Sequence, residues 1–369
     1  MAHAIDTTTG RAAFVSLRRP AWHGLGTVLE VPASIEDTQK LAGLDWMVER
    51  SPIFAKVPEI VGIGPEGDML QGFAEKAITS HVATRRTDTG AVLGVVGADW
   101  VPVQNGELFD WVRQLSAWGN LTIETAGALH GGATVWILVR MDDLRWNIDE
   151  ADQIKPYMLI SNGHAGQRAV TINPVLERVV CANTLRMADS EADKRMRAKG
   201  NGLAAGWKIH HTTDVKVRME EARRILAGTT DAWAASQREI QRLAEAAFDE
   251  TFLASIVERV WKGEDEDQEE GAKVSKGAET RKANRLRSIR ELLSASTNTT
   301  TSAKGTVWGA LNAITEYVDH DNTTRTSAGR DPREARFFST QFGRGDVLKS
   351  RAWAEMRGLV KARPMVSVP

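Results

Sequence analysis

Few side chains in this 369-residue chain combine the type and the spacing that chemistry requires. Cys181, the sole cysteine, could act as a nucleophile with His164 as its base. Val179 and Val180 precede it, and a thiol packed at the end of a buried strand accounts for it without chemistry. Gly62-Ile-Gly-Pro-Glu-Gly67 has the glycine spacing of a dinucleotide loop, but Pro65 interrupts it and no amphipathic helix follows to present amide donors. It reads as a hairpin turn. His210-His211 would point to opposite faces of a strand, and Asp319-His320-Asp321 falls at a predicted helix end, so neither makes a metal-ligand set. Gly200, Gly202 and Gly206 follow Lys194, Arg195, Arg197 and Lys199, where backbone amides could help hold phosphate, although a mobile loop is the simpler reading. No nucleophile elbow, phosphate-cradling loop or zinc-protease helix is present. The expectation is a protein with no catalytic residues, metal or cofactor.

Binding chemistry is better supplied. Twelve Trp outnumber nine Phe and two Tyr, and indole faces interleaved with Arg and Lys are how sequence-tolerant single-strand binding is built. Trp111, Trp118 and Trp136 fall on apolar faces of predicted elements, whereas Trp207 beside Lys208, and Trp353 between Arg351 and Arg357, have basic neighbours. Arg281, Lys282, Arg285, Arg287 and Arg290 follow a helical pattern, and with Lys194, Arg195 and Arg197 they form two short cationic stretches. The net charge of -1 conceals a division: residues 271–369 carry +9 and residues 1–270 carry -10. A polyanion partner for the basic part explains this, and so does a basic tail folded onto its own acidic body.

The elements that must position these residues are segregated along the chain, which points to α+β: a mainly antiparallel sheet with packed helices, then a helical C-terminal region. Residues 1–212 read as a strand-rich domain, 213–262 as a helical extension, 263–278 as an acidic flexible linker and 279–369 as the basic helical region. The block from Gly263 to Ser275 is nearly devoid of apolar side chains, too few to offset its ordering entropy. Short strands are predicted at Asp45 to Arg50, Val57 to Ile63, Ala77 to Arg85 and Ala91 to Val96. Asn105 caps a helix whose Leu108, Trp111, Val112, Leu115 and Trp118 share one face. Leu121 to Leu129 and Ala133 to Arg140 flank His130-Gly131-Gly132 as a β-hairpin. Further strands follow at Tyr157 to Ser161, Arg168 to Ile172, Leu176 to Val180 and Trp207 to His211, then a helix from Asp214 to Ala227 with Val217, Ala222, Ile225 and Leu226 inward. No apolar run approaches the roughly 18 residues of a membrane span, and the N-terminus lacks a signal pattern. A cytoplasmic protein is expected, with a homo-oligomer as one form it could take.

Several of these segments together resemble a family of phage- and plasmid-borne proteins, domain of unknown function 932. They are Pro20-Ala-Trp-His-Gly-Leu-Gly26, Ala42-Gly-Leu-Asp-Trp46, Leu93-Gly-Val-Val-Gly-Ala-Asp-Trp-Val-Pro-Val-Gln-Asn105, Thr125-Ala-Gly-Ala-Leu129, Ile160-Ser-Asn-Gly-His164, Val180-Cys-Ala-Asn-Thr-Leu185 and Leu311-Asn-Ala-Ile-Thr-Glu-Tyr-Val-Asp-His320. Trp100 stands where the family pattern leads one to expect tyrosine. The resemblance implies a mobile-element origin and brings no catalytic residues. At the level of fold class it sets the chain beside single-strand annealing proteins of phages. The resulting expectation is a nucleic-acid-binding protein, with single-stranded DNA as partner in recombination or replication. The alternative is a protein-interaction or host-takeover protein that binds no nucleic acid.

Overall fold

The computed structural model describes residues 5–18, 25–63, 65, 69–116, 119–166, 169–178, 183–186, 207–209, 217, 233–262, 276–322, 339–340 and 343–362. It is an α+β fold with strands gathered in the N-terminal half and helices mainly in the C-terminal half. The larger sheet has the order β11-β10-β9-β7-β6-β1-β2, with β12 also on β10 and β8 on β9. Its strands are β1 Phe14–Leu17, β2 Thr27–Leu29, β6 Leu121–Leu129, β7 Thr134–Met141, β8 Trp146–Asn147, β9 Gln153–Gly163, β10 Val170–Arg178, β11 Asn183–Arg186 and β12 Trp207–Ile209. All pair antiparallel except β1 with β2.

The expected hairpin joins β6 to β7. His130, Gly131 and Gly132 all have positive φ, so the chirality cost is avoided at the two glycines and falls on His130 alone. Glycine is also required at Gly127, which pairs with Trp136: a Cβ there would lie 2.6 Å from the indole and 2.6 Å from the Ala13 carbonyl oxygen. β10 unites what read as two strands. Pro174 lies where β12, paired at Val170–Ile172, gives way to β11, paired from Val175, so its missing N–H coincides with a break in that edge.

The second sheet is a meander of β3 Val48–Ile63, β4 Met69–Arg86 and β5 Val92–Gly97. β3 and β4 are far longer than the predicted segments, and Ile63 pairs with Met69 across the glycine-rich turn, which rules out a dinucleotide loop there. In the chain this sheet is flanked by α1 Ile35–Leu41 and α2 Asn105–Ser116. α2 buries Leu108, Phe109, Trp111, Val112 and Leu115 against the larger sheet, as its periodicity predicts, while Trp118 lies outside the described residues. The cap differs from expectation. The Glu107 carboxylate accepts from the Gln104 backbone N–H at 3.0 Å, and the Asn105 side chain is directed elsewhere.

The helical part comprises α3 at residues 233–245, α4 Leu253–Val260, α5 Lys276–Leu293, α6 Val307–Glu316 and α7 Arg344–Ala362. One apolar cluster runs from Val135, Ile137 and Ile160 of the sheet to Trp261, Leu311 and Trp353 of the helices. Val217 is exposed, not inward as its pattern suggested, and the rest of the helix expected from Asp214 to Ala227 lies outside the described residues. So does the acidic block from Gly263 to Ser275. Among the described residues no helix is long and apolar enough to cross a membrane.

Candidate functional site

The cationic residues singled out by sequence fall into three groups. Lys194, Arg195 and Arg197 lie outside the described residues, as do Cys181, His210 and His211. Trp207 and Lys208 pair through their backbones with Ile172 and Thr171 on β12. The remaining group occupies α5 and α7, and there two expectations are corrected. Arg285 is 6 % exposed with its guanidinium 4.7 Å above the Trp261 ring, and Trp353 is 3 % exposed beneath Arg357. Neither can reach a phosphate or a base while its helix stays packed.

On the solvent side of α5 two of the charges are paired with glutamates in and just before α4. Lys282 Nζ lies 2.6 Å from Glu258 and Arg290 Nε 3.2 Å from Glu250. Arg259–Glu355 and Arg357–Glu239 join α7 to α4 and α3 in the same way. For these residues the division of charge along the sequence is answered within the molecule. Arg281 and Arg287 are exposed, and Arg287 donates to Asn284 Oδ1 at 2.9 Å.

A second constellation, not anticipated from residue spacing, joins the two sheets. His164, at the end of β9, is fully buried; its Nε2 meets Asn105 Oδ1 at 2.9 Å, and its ring stands edge-on to Trp46 at 5.4 Å. Asn105 Nδ2 donates to the Trp46 carbonyl, and Thr84 Oγ1 donates to the His164 carbonyl at 2.8 Å. Beside them the Arg86 guanidinium lies 4.3 Å over Trp46 and binds Asp6, Asp88, Thr8 and the Gly131 carbonyl. Trp46, Asn105 and His164 end three of the segments that carry the family resemblance, so residues distant in sequence meet at one joint. His164, Asn105 and Trp46 are closed to solvent, which makes His164 a positioning residue here, and Cys181 lies outside the described residues.

A third group crosses the sheet. Arg140 binds Glu124 and, through Nε at 2.7 Å, Asp142; Tyr157 donates to Glu177 Oε2 at 2.5 Å. Burial pushes the Glu124 carboxyl above the usual range despite Arg140. At Asp142 burial acts the same way, but the hydrogen bonds from Arg140 and Thr122 outweigh it and hold the carboxyl low. A carboxyl whose folded pKa is depressed adds stability above its unfolded pKa, and that stability disappears as pH falls through the folded value. The urea midpoint should therefore drop as pH falls below about 4, and Asp142→Asn should lose less over that range. Parallel pH profiles of the two proteins would refute the assignment. Asp319, read as part of a helix-terminal polar cluster, forms a buried ion pair with Lys349 at 2.7 Å. Among the described residues no cluster of three His, Cys, Asp or Glu is arranged to hold a metal ion.

Compared with known proteins, residues 92–339 match the model of the domain of unknown function DUF932. Neither the curated proteins nor the solved structures contain a significant match. The matched region runs from β5 to just before α7 and exceeds half of the chain, and on that basis the chain belongs to the DUF932 family.

Proposed function

We propose that the protein binds single-stranded nucleic acid, makes and breaks no bonds itself, and serves strand annealing in recombination or replication of a phage or plasmid. One observation supports this most. β11 ends at Arg186 opposite Val175, and β12 begins at Trp207 opposite Ile172, so the two described positions that flank the basic stretch Lys194, Arg195 and Arg197 in sequence lie about 10 Å apart along β10. β11 packs on α6 and α7, and α6 on α5, the helix with Arg281 and Arg287 exposed.

Lys282 and Arg290 remain in the contact set although they are paired, because exposed ion pairs contribute only about 0–1 kcal/mol and a phosphate can replace the glutamate at little cost. Arg285 and Trp353 are removed from it.

The test is an anisotropy titration of a labelled single-stranded oligonucleotide at several salt concentrations. Affinity should fall with a log-log slope of about -0.7 per phosphate contacted. Replacing Arg281 and Arg287 by alanine should flatten that slope, and Trp207→Ala should cost about 1–3 kcal/mol of binding with the slope kept. Absence of binding at low salt by folded protein refutes the reading and leaves a protein-interaction role in front.

A further inference from the structure

Among the described residues, the three-stranded sheet is anchored at one end only. Thr84 and Arg86 are buried in the joint and β5 covers β4 between His81 and Arg85, but from Ile53 to Ile78 no described residue of β3 or β4 is buried. This stretch is a two-stranded ribbon roughly 35 Å long, with no further strand on either edge among the described residues. A lone hairpin is marginal in water, and hydrophobic side chains on its face call for a cover. Here Phe54, Ile60 and Phe73 are 51, 59 and 72 % exposed.

Register decides which side is concerned. Phe54 pairs with Ala77, Lys56 with Glu75, Pro58 with Phe73 and Ile60 with Gln71, so these alternate residues of both strands share one face. Edge-on addition of a strand along β3 is disfavoured, because Pro52 and Pro58 each lack a donor. Among the described residues the β4 edge from Met69 to Ile78 is open as well, but the exposed Phe54, Ile60 and Phe73 side chains lie on the face. At its centre Lys56 and Glu75 stand opposite one another, and neither makes an ion pair with a described residue.

One cation and one anion amid apolar side chains form a self-complementary pattern. A twofold relation sets Lys56 against Glu75 of the partner subunit and repeats the pair with the roles exchanged. A polyanion would meet Glu75, and a partner of single charge would satisfy only half the pattern.

We propose that this face of the ribbon is the interface of a homodimer, two copies packing ribbon to ribbon. The inference goes beyond the nucleic-acid reading and is tested without any oligonucleotide, so the two can fail separately.

Light scattering on the full chain at micromolar concentration should give twice the 40.5 kDa chain mass. Phe54→Asp with Phe73→Asp should bring it to 40.5 kDa while the melting temperature is retained, since neither side chain is buried. Lys56→Glu alone sets like charges together and should weaken association about tenfold or more; adding Glu75→Lys should restore it. The rescue separates recognition by a second copy from general loss of a sticky surface. A mass of 40.5 kDa for the natural chain, an assembly that survives the double Phe substitution, or failure of the charge swap to rescue overturns the proposal.

Discussion

Replacing Arg86 by alanine should destabilise the protein by about 3–5 kcal/mol, the range found when one partner of a buried ion pair is removed. The side chain is 1 % exposed and carries more of the joint than any neighbour. Its Nε and Nη2 reach the two Asp88 oxygens at 2.9 and 2.7 Å, its Nη1 contacts Asp6, the Thr8 hydroxyl at 3.0 Å and the Gly131 carbonyl at 3.2 Å, and the plane covers Trp46. Alanine would leave the Asp6 carboxylate buried with only Thr8 to satisfy it. Arg86→Lys should not rescue, because a single ammonium cannot chelate Asp88 and reach Asp6 together. The cost of breaking the pair is distinct from its net value. Removing Asp6 as well, as Asp6→Leu with Arg86→Met, should recover much of the loss. Urea denaturation checks all three variants; a loss under about 1 kcal/mol for Arg86→Ala, the size expected of an exposed pair, would mean that the joint does not depend on this ion pair.

Much of the fold was legible because local signals and tertiary packing agree. The apolar stripe of α2 and the paired glycines after β6 are local facts with one outcome each. The long ribbon was less legible. Register shifts between Pro52 and Ile53 and between Ile60 and Gly62 interrupt the period-two pattern, so one strand reads as separate pieces. The candidate contacts divide for a similar reason. A count of charges cannot tell an outward arginine from an inward one, but helical phase helps: Ala278, Arg285 and Ile289 lie on the buried stripe of α5, while Arg287 lies on the opposite side. Trp353 likewise falls in phase with the buried Lys349 and Met356. What phase could not supply is the partner, since Trp261 beneath Arg285 lies on the far side of the acidic block. The joint at His164 was hidden more completely, because it draws single residues from four separate elements.

Asp152→Ala is the second substitution with a large expected effect, and it bears on whether sheet and helices form one cooperative unit. Asp152 is fully buried in the turn between β8 and β9, and its Oδ2 accepts from Ser302 Oγ at 2.6 Å and from the Trp308 indole N–H at 3.0 Å. Beside it Asp149 accepts from the Ser302 backbone N–H at 2.6 Å. Both carboxylates thus hold the start of α6 to the sheet. Alanine would remove the carboxylate acceptor from a buried indole N–H and from the Ser302 hydroxyl, which retains Thr300 Oγ1 at 3.2 Å, and with about 1–3 kcal/mol for each bond lost a total of about 3 kcal/mol is expected. Trp308→Phe removes one of those donors and should cost less, and its effect should shrink in the Asp152→Ala background because the bond is already gone. The apolar cluster continues across this contact, so the natural chain and both variants should unfold in a single step, with a lowered urea midpoint and an unchanged slope. A variant that unfolds in two steps would show that the Asp152 carboxylate, not the shared core, is what couples the helices to the sheet. Independent, additive losses from the two substitutions would show that the Asp152–Trp308 bond contributes nothing of its own.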